Sequence, residues 1–176
     1  GITVLIGPGH NGGDGAVIAR ELFLKGYFVR VWCPFSIKKT LTNNHLNYLT
    51  SIGVKKLDEP PDANGKELWI DAVFGNNQIR KVDNELIKLF NQKFHNKYGK
   101  VISIDIPSGL CPDKGEPFSD IAVKADYTLA IGLYKIGLLQ DSALPFIGEL
   151  HHIDVGLPFN KLSKVEKKIF GITYGD

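Results

Sequence analysis

Two features of this chain have the residue types and spacing to do chemistry. One is a run dense in glycine; the other is a pair of carboxylates set in otherwise apolar segments. The run is Gly7-Pro8-Gly9-His10-Asn11-Gly12-Gly13-Asp14-Gly15, in which five of nine residues are glycine. Lacking a Cβ, glycine lets the backbone approach a ligand closely and adopt positive φ, and a helix opening there offers unpaired N–H groups to an anion. The first six residues satisfy G-x-G-x-x-G. The next apolar run, however, ends Arg30-Val31-Trp32-Cys33-Pro34, with no Asp or Glu for a ribose hydroxyl. No G-K-[ST] is present, so an NAD-dependent dehydrogenase and a P-loop nucleotidase are both disfavoured. Asp14 would repel a phosphate at close range; it reads as a helix cap or as an acceptor for ligand hydroxyls. His10 reads equally as a solvent-facing loop residue or as a ligand contact.

The carboxylates lie in Leu68-Trp69-Ile70-Asp71-Ala72-Val73-Phe74-Gly75 and in Val101-Ile102-Ser103-Ile104-Asp105-Ile106-Pro107-Ser108-Gly109. A lone buried carboxylate costs several kcal/mol unless something pairs with it. No base lies near Asp71 in sequence, so it calls for a bound cation or for backbone N–H groups. Asn76-Asn77-Gln78-Ile79-Arg80-Lys81 follows as a polar loop with two cations, suited to a phosphate-bearing ligand. Ser108 is not in G-x-S-x-G and no histidine follows at a recognisable offset, which leaves a hydrolase triad unsupported. His151 and His152 read as packing or surface residues.

The elements that must position these groups are short β-branched and aromatic runs alternating with helical patterns, the mark of βαβ units around a parallel sheet. The strand-like runs are Thr3–Ile6, Phe28–Cys33, Leu68–Phe74, Val101–Ile106, Tyr127–Ile131 and Glu149–Val155. Ile18, Leu22 and Lys25 share a helical face ended by Gly26. His45, Leu46, Leu49 and Ile52 suggest a helix stopped by Gly53, and Leu86, Leu89, Phe90 and Phe94 another, with Asp83 or Asn84 as its cap. Residues 58–65 and 110–117 read as surface loops, and Lys161–Lys168 as a basic solvated segment. The fold class expected is α/β: a three-layer αβα Rossmann-like sandwich with a mostly parallel central sheet. In such a sheet the glycine run and both acids finish on one edge, where open α/β folds bind ligands.

At 176 residues the chain fits one domain. Twenty-one Lys+Arg against 19 Asp+Glu leave a net charge of +2, too balanced to mark a nucleic-acid surface. No apolar run reaches the ~18 to 20 residues of a membrane span. Cys33 and Cys111 are too few for a disulfide framework or a four-ligand zinc site. No secretory signal precedes the first strand, so a cytoplasmic setting is expected, and the abrupt start suggests that native residues precede position 1.

The glycine run, Asp71-Ala72-Val73-Phe74-Gly75 and Asp105-Ile106-Pro107-Ser108-Gly109 together resemble the NAD(P)H-hydrate epimerase family, the YjeF N-terminal domain. Ala130-Ile131-Gly132-Leu133-Tyr134-Lys135-Ile136-Gly137-Leu138 is similar to its fourth block, and Ile153-Asp154-Val155-Gly156-Leu157-Pro158 to its closing strand. The resemblance implies a domain over residues 1–158 with a tail or linker over 159–176, without the helical segments that precede the first strand in family members. It implies an isomerase that interconverts the R and S forms of hydrated NADH and NADPH (NADHX and NADPHX) in nicotinamide nucleotide repair. A fused or separate ADP- or ATP-dependent dehydratase would be its partner, and the chain would form a homodimer.

By the same resemblance, His10, Asn11, Gly12, Gly13 and Asp14 are substrate-binding. So are Gly75, Asn76, Asn77, Gln78, Ile79, Arg80 and Lys81, and Asp105 contacts substrate. Asn11, Asp71 and Ser108 match potassium ligands, which suits oxygen donors and a hard cation. Asp105 is the expected general acid/base, protonating the departing ring hydroxyl so that water returns to either face of an iminium. His10 stands where the family usually has Asn, and Asn76-Asn77-Gln78 replaces a loop of smaller residues. The alternative is a non-catalytic nucleotide-binding or protein-interaction scaffold of the same fold; retention of the converging acids favours the enzyme.

Overall fold

The computed structural model describes residues 1–78 and 82–157. Ile79, Arg80 and Lys81, the basic segment 161–168 and the 159–176 tail lie outside the described residues. Seven strands form one parallel sheet: β1 (Ile2–Ile6), β2 (Val29–Trp32), β3 (Lys55–Leu57), β4 (Leu68–Ala72), β5 (Lys100–Ile104), β6 (Tyr127–Ile131) and β7 (Glu149–Ile153), in spatial order β3-β2-β1-β4-β5-β6-β7. Four helices accompany them among the described residues: α1 (His10–Leu24), α2 (Thr40–Ser51), α3 (Asn84–His95) and the single turn α4 (Leu144–Ile147).

Side chains alternate between the two faces of a strand, and the central strands bury both. Val4, Ile6, Ile70 and Ala72 pack under α1 and α2 with Ala16, Ala19, Leu46 and Leu49. Leu5, Trp69 and Val101 point the other way and meet Leu86, Ile87 and Phe90 of α3. The result is the expected three-layer αβα Rossmann-like sandwich. Asp83 caps α3, its Oδ1 accepting the Glu85 N–H at 2.9 Å.

Several local features depart from the sequence reading: β4 and β5 end at Ala72 and Ile104, two residues before the expected Phe74 and Ile106, and β2 is one residue shorter at each end than Phe28–Cys33. β3 is an additional strand: among the described residues it pairs only with β2, and its Lys55 and Lys56 are exposed, so no apolar run advertised it. The last strand ends at Ile153 rather than Val155. The glycine run is mostly helix, because α1 begins at His10 with Gly9 as N-cap. Asp14 therefore stands within α1 and does not cap it, and Gly7, Gly9, Gly12, Gly13 and Gly15 all lack positive φ. Close approach is what the run requires. A Cβ on Gly7 would collide with the Val73 carbonyl, and one on Gly12 with the Gly7 carbonyl, so β1, α1 and the end of β4 meet backbone against backbone.

Candidate active site

β1 and β4 are adjacent at the centre of the sheet, yet the chain leaves β1 toward β2 on one side and leaves β4 toward β5 on the other. Loops that diverge in this way open a crevice at the carboxyl ends of the strands. A cavity of about 600 Å³ lies there, lined on one side by Pro8, Gly9, His10, Asn11 and Asp14 and on the other by Gly75, Asn76, Asn77, Gln78 and Asp105. The expected substrate residues thus divide. Gly12 and Gly13 do not line the cavity; they are part of the helix start that lets His10 and Asn11 reach it. Asp71 and Ser108 sit below its floor, each fully buried.

Asp71 is satisfied by its neighbours in the fold. One carboxylate oxygen accepts the Ser108 hydroxyl at 2.7 Å and the Val73 N–H at 3.2 Å. The other accepts the Ser108 N–H at 2.9 Å and the Ser103 hydroxyl at 3.0 Å. Ser103 is there because the β4–β5 register sets it opposite Asp71. Burial raises the Asp71 pKa above its ordinary range, and these four donors oppose that shift. No ion pair among the described residues reaches the carboxylate. Ser108 also accepts the Phe74 N–H at 3.0 Å, which joins the β4 and β5 loops. Asn11 donates to the Ile104 carbonyl at 3.3 Å, while its buried Oδ1 has no hydrogen-bond partner among the described residues.

Asp105 follows β5 with φ of +71°, a left-handed conformation that is uncommon outside glycine and better tolerated by Asp and Asn. The strain turns its carboxylate into the cavity, where Oδ2 accepts the Asn76 N–H at 2.8 Å and Oδ1 pairs with the Lys135 ammonium. Lys135 also donates to the Ile131 carbonyl at 3.0 Å, and both charged side chains are at most 14% exposed. A Cβ on Gly75 would stand 3.0 Å from Asp105 Oδ2 and 3.2 Å from Asn11 Cβ, so glycine is needed where the two loops pass. Gln78 accepts the Gly109 N–H at 3.0 Å through its side-chain oxygen, a use that ties one loop to the other.

Sequence reasoning did not single out Lys135 as a site residue, nor Lys38 and Lys39, which line the same cavity from the loop after β2. Lys135 lay inside the quoted fourth block, but its meeting with Asp105, 30 residues earlier, depends on β5–β6 pairing. Thr42 donates to the Gly9 carbonyl at 3.0 Å and holds the start of α2, with Lys39 as its N-cap, against the glycine turn.

The family model described as YjeF-related protein N-terminus matches residues 1–137. The chain belongs to this YjeF N-terminal family. It is 39% identical over 171 residues to the bifunctional NAD(P)H-hydrate repair enzyme Nnr of Synechocystis sp., a match that covers 97% of this chain and 32% of that protein. It is 32% identical over 162 residues to the NAD(P)H-hydrate epimerase of Lentilactobacillus buchneri, covering 89% of this chain and 73% of that one. The chain thus spans about a third of the length of the bifunctional relative. The crystal structure of yeast ynu0, YNL200c, superposes with a TM-score of 0.69 at 23% identity, covering 99% of this chain and 72% of that one, and so shares the fold.

Asp14, at the cavity rim, gives a pH-dependent signature. Asp14 is exposed at the rim, but desolvation beside the cavity wall, followed by the nearby Asp105 charge, raises its pKa from the ordinary 3.8, with His10 and His45 opposing. A carboxyl whose pKa is raised by folding binds its proton more tightly in the native state. Its contribution to stability is complete below 3.8 and is lost as pH rises through the raised value. The wild-type melting temperature should therefore carry a downward component across that window, and the Asp14→Asn variant should lack it in melting curves recorded from pH 3.5 to 6.5. Superimposable pH profiles would contradict the environment assigned to Asp14.

Proposed function

We propose that this chain is an isomerase that epimerises hydrated NADH and NADPH at the hydrated ring carbon. The observation that carries this reading is the Asp105 carboxylate, which lines the cavity at the central crevice of the sheet and is paired from behind the lining with the Lys135 ammonium. The names of the relatives point to the same substrate. A cavity of about 600 Å³ is of the size that holds a small organic ligand.

In the proposed mechanism the ring nitrogen lone pair expels the hydroxyl, which must leave protonated. The sequence alone suggests Asp105 as the acid. Both oxygens of the Asp105 carboxylate already accept, one from Lys135 and the other from Asn76, which casts Asp105 as the acceptor of the pair and Lys135 as its proton donor. The Lys135 ammonium then donates the proton, the hydroxyl departs as water, and Asp105 faces the cationic iminium. When water returns to either face of the ring, its proton goes back to Lys135. The pair ends as it began, and the carbon has either configuration. Positioned proton transfer of this kind contributes about 10²–10⁴-fold. Lys135→Gln is therefore expected to lower kcat by roughly 10²-fold or more while changing KM much less. Retention of most of the turnover would remove Lys135 from the proton path.

His10, Asn11, Asp14 and Asn77 are proposed to contact the substrate, with Gly12 and Gly13 shaping the turn; Ile79, Arg80 and Lys81 are proposed as substrate contacts from the sequence resemblance alone. The residues at the floor fit a monovalent cation in kind: Asn11 Oδ1 is a buried acceptor without a partner, and Asp71 is a buried charge without a counter-ion among the described residues. Asn11, Asp71 and Ser108 would hold potassium there. The ion would supply positive charge that offsets Asp71 and braces the glycine turn against the Asp105 loop. Because Asp71 already accepts four hydrogen bonds, it would act mainly through its charge unless a Ser108 bond yields.

The test starts from a single purified epimer of hydrated NADH and follows its approach to the R/S equilibrium by chromatography, in potassium and in lithium buffer. Equilibration far faster than the uncatalysed rate, and faster in potassium, is expected. A rate no greater than that without protein would contradict the reading and favour the scaffold alternative.

A further inference from the structure

The cavity holding Asp105 continues past the glycine turn. Three of its lining residues, Pro8, Lys38 and Phe74, also line a second cavity of about 480 Å³. The other walls of that cavity are Phe35, Ser36, Val82 and Asp83, and it contains neither Asp105 nor any residue of α1. Phe35 and Phe74 stand with ring centroids 5.6 Å apart at 50°, both only partly buried, so aromatic surface faces the space. Lys38 is exposed at the junction of the two cavities and makes no ion pair among the described residues. The segment that carries Phe35 and Lys38 is anchored at one end by β2 and at the other by the Thr42–Gly9 hydrogen bond.

These features form a chemical sequence: a charge pair suited to a reacting ring, then a free cation, then aromatic faces with a hydroxyl beside them. We propose that the second cavity is the subsite for the adenosine half of a dinucleotide, with the purine against Phe35 and Phe74 and the diphosphate passing Lys38. This rests on the epimerase reading for the identity of the other half of the ligand. The logic of the subsite is independent of it, because every purine presents a π-face to an aromatic ring and every diphosphate an anion to an ammonium. A further cavity of about 450 Å³ near Cys33, between the end of β2 and α2, shares Phe35 and Ser36 and has Lys56, but it contains neither Phe74 nor Lys38. It has no lining residue in common with the Asp105 cavity, so it does not continue the path from the reacting ring.

The probe is 5′-ADP, titrated by calorimetry into the wild-type chain, Phe35→Leu and Lys38→Gln. Leucine keeps the apolar packing of Phe35 and removes only its aromatic face. Each variant is expected to weaken ADP binding about tenfold. Alongside, Phe35→Leu is expected to raise KM for hydrated NADH about tenfold more than KM for the hydrate of reduced nicotinamide mononucleotide, which has no adenosine half. ADP affinity equal in all three proteins, or equal KM changes for the two hydrates, would overturn the subsite. If no hydrate is turned over but ADP binding still depends on Phe35 and Lys38, the subsite is supported and the epimerase reading is the one that fails.

Discussion

Asp105→Asn is expected to reduce epimerisation of hydrated NADH by about 10²–10⁴-fold, the span that positioned proton transfer and its partner charge supply. Asparagine is the informative replacement. At φ of +71° an alanine would add backbone strain to the lost charge, whereas asparagine tolerates the left-handed region. Its side-chain oxygen can still accept the Asn76 N–H, so the loop keeps its shape. What disappears is the anion facing Lys135. The ammonium keeps the Ile131 carbonyl as a partner, which limits the cost to stability. Circular dichroism and the melting temperature should therefore show a folded protein, with the deficit in kcat rather than KM. Turnover within a few-fold of wild type would remove Asp105 from the reaction.

Asp71→Ala should act on the fold instead. The carboxylate is fully buried and accepts four hydrogen bonds from Val73, Ser103 and Ser108. Truncation leaves these donors facing a void at the join of β4, β5 and the Ser108 turn. A loss on the order of 3–5 kcal/mol is expected, a large share of the ~5–15 kcal/mol that holds a domain together. Asp71→Asn is the finer probe, because it keeps the volume and removes the charge. If potassium binds beside Asp71, the wild-type melting temperature should rise by several degrees when potassium replaces lithium, since a ligand that binds only the native state stabilises it by mass action. Asp71→Asn should abolish that difference. A potassium increment that survives in Asp71→Asn would place the ion elsewhere.

The fold was largely legible because its central strands are covered on both faces, and burial on both faces forces continuous apolar runs. β1, β4 and β5 announced themselves for this reason. β3 did not, because an edge strand with one neighbour can be written Lys55-Lys56-Leu57 and still pair. Asp71 stood out as an acid in an apolar run, but its partners are set by the β4–β5 register and by the turn that returns Ser108 beneath it, which linear sequence does not display. Gly12 and Gly15 read as part of a turn that could take positive φ beside a ligand, whereas they lie within a helix that must press against β1 and β4 without side chains. Lys135 and Lys38 were the least visible. A lysine in a loop reads as solvated surface until the pairing of distant strands shows what it faces.

The measurement closest to the central claim is the fate of the ring hydroxyl oxygen during epimerisation. A single epimer of hydrated NADH is converted by the wild-type chain in oxygen-18 water, and the product is analysed by mass spectrometry. If the Asp105–Lys135 pair releases water and returns it, the product epimer carries solvent label in step with its formation, and Asp105→Asn slows labelling and epimerisation together. Inverted product that keeps its original oxygen, or undiminished exchange in Asp105→Asn, would contradict the account.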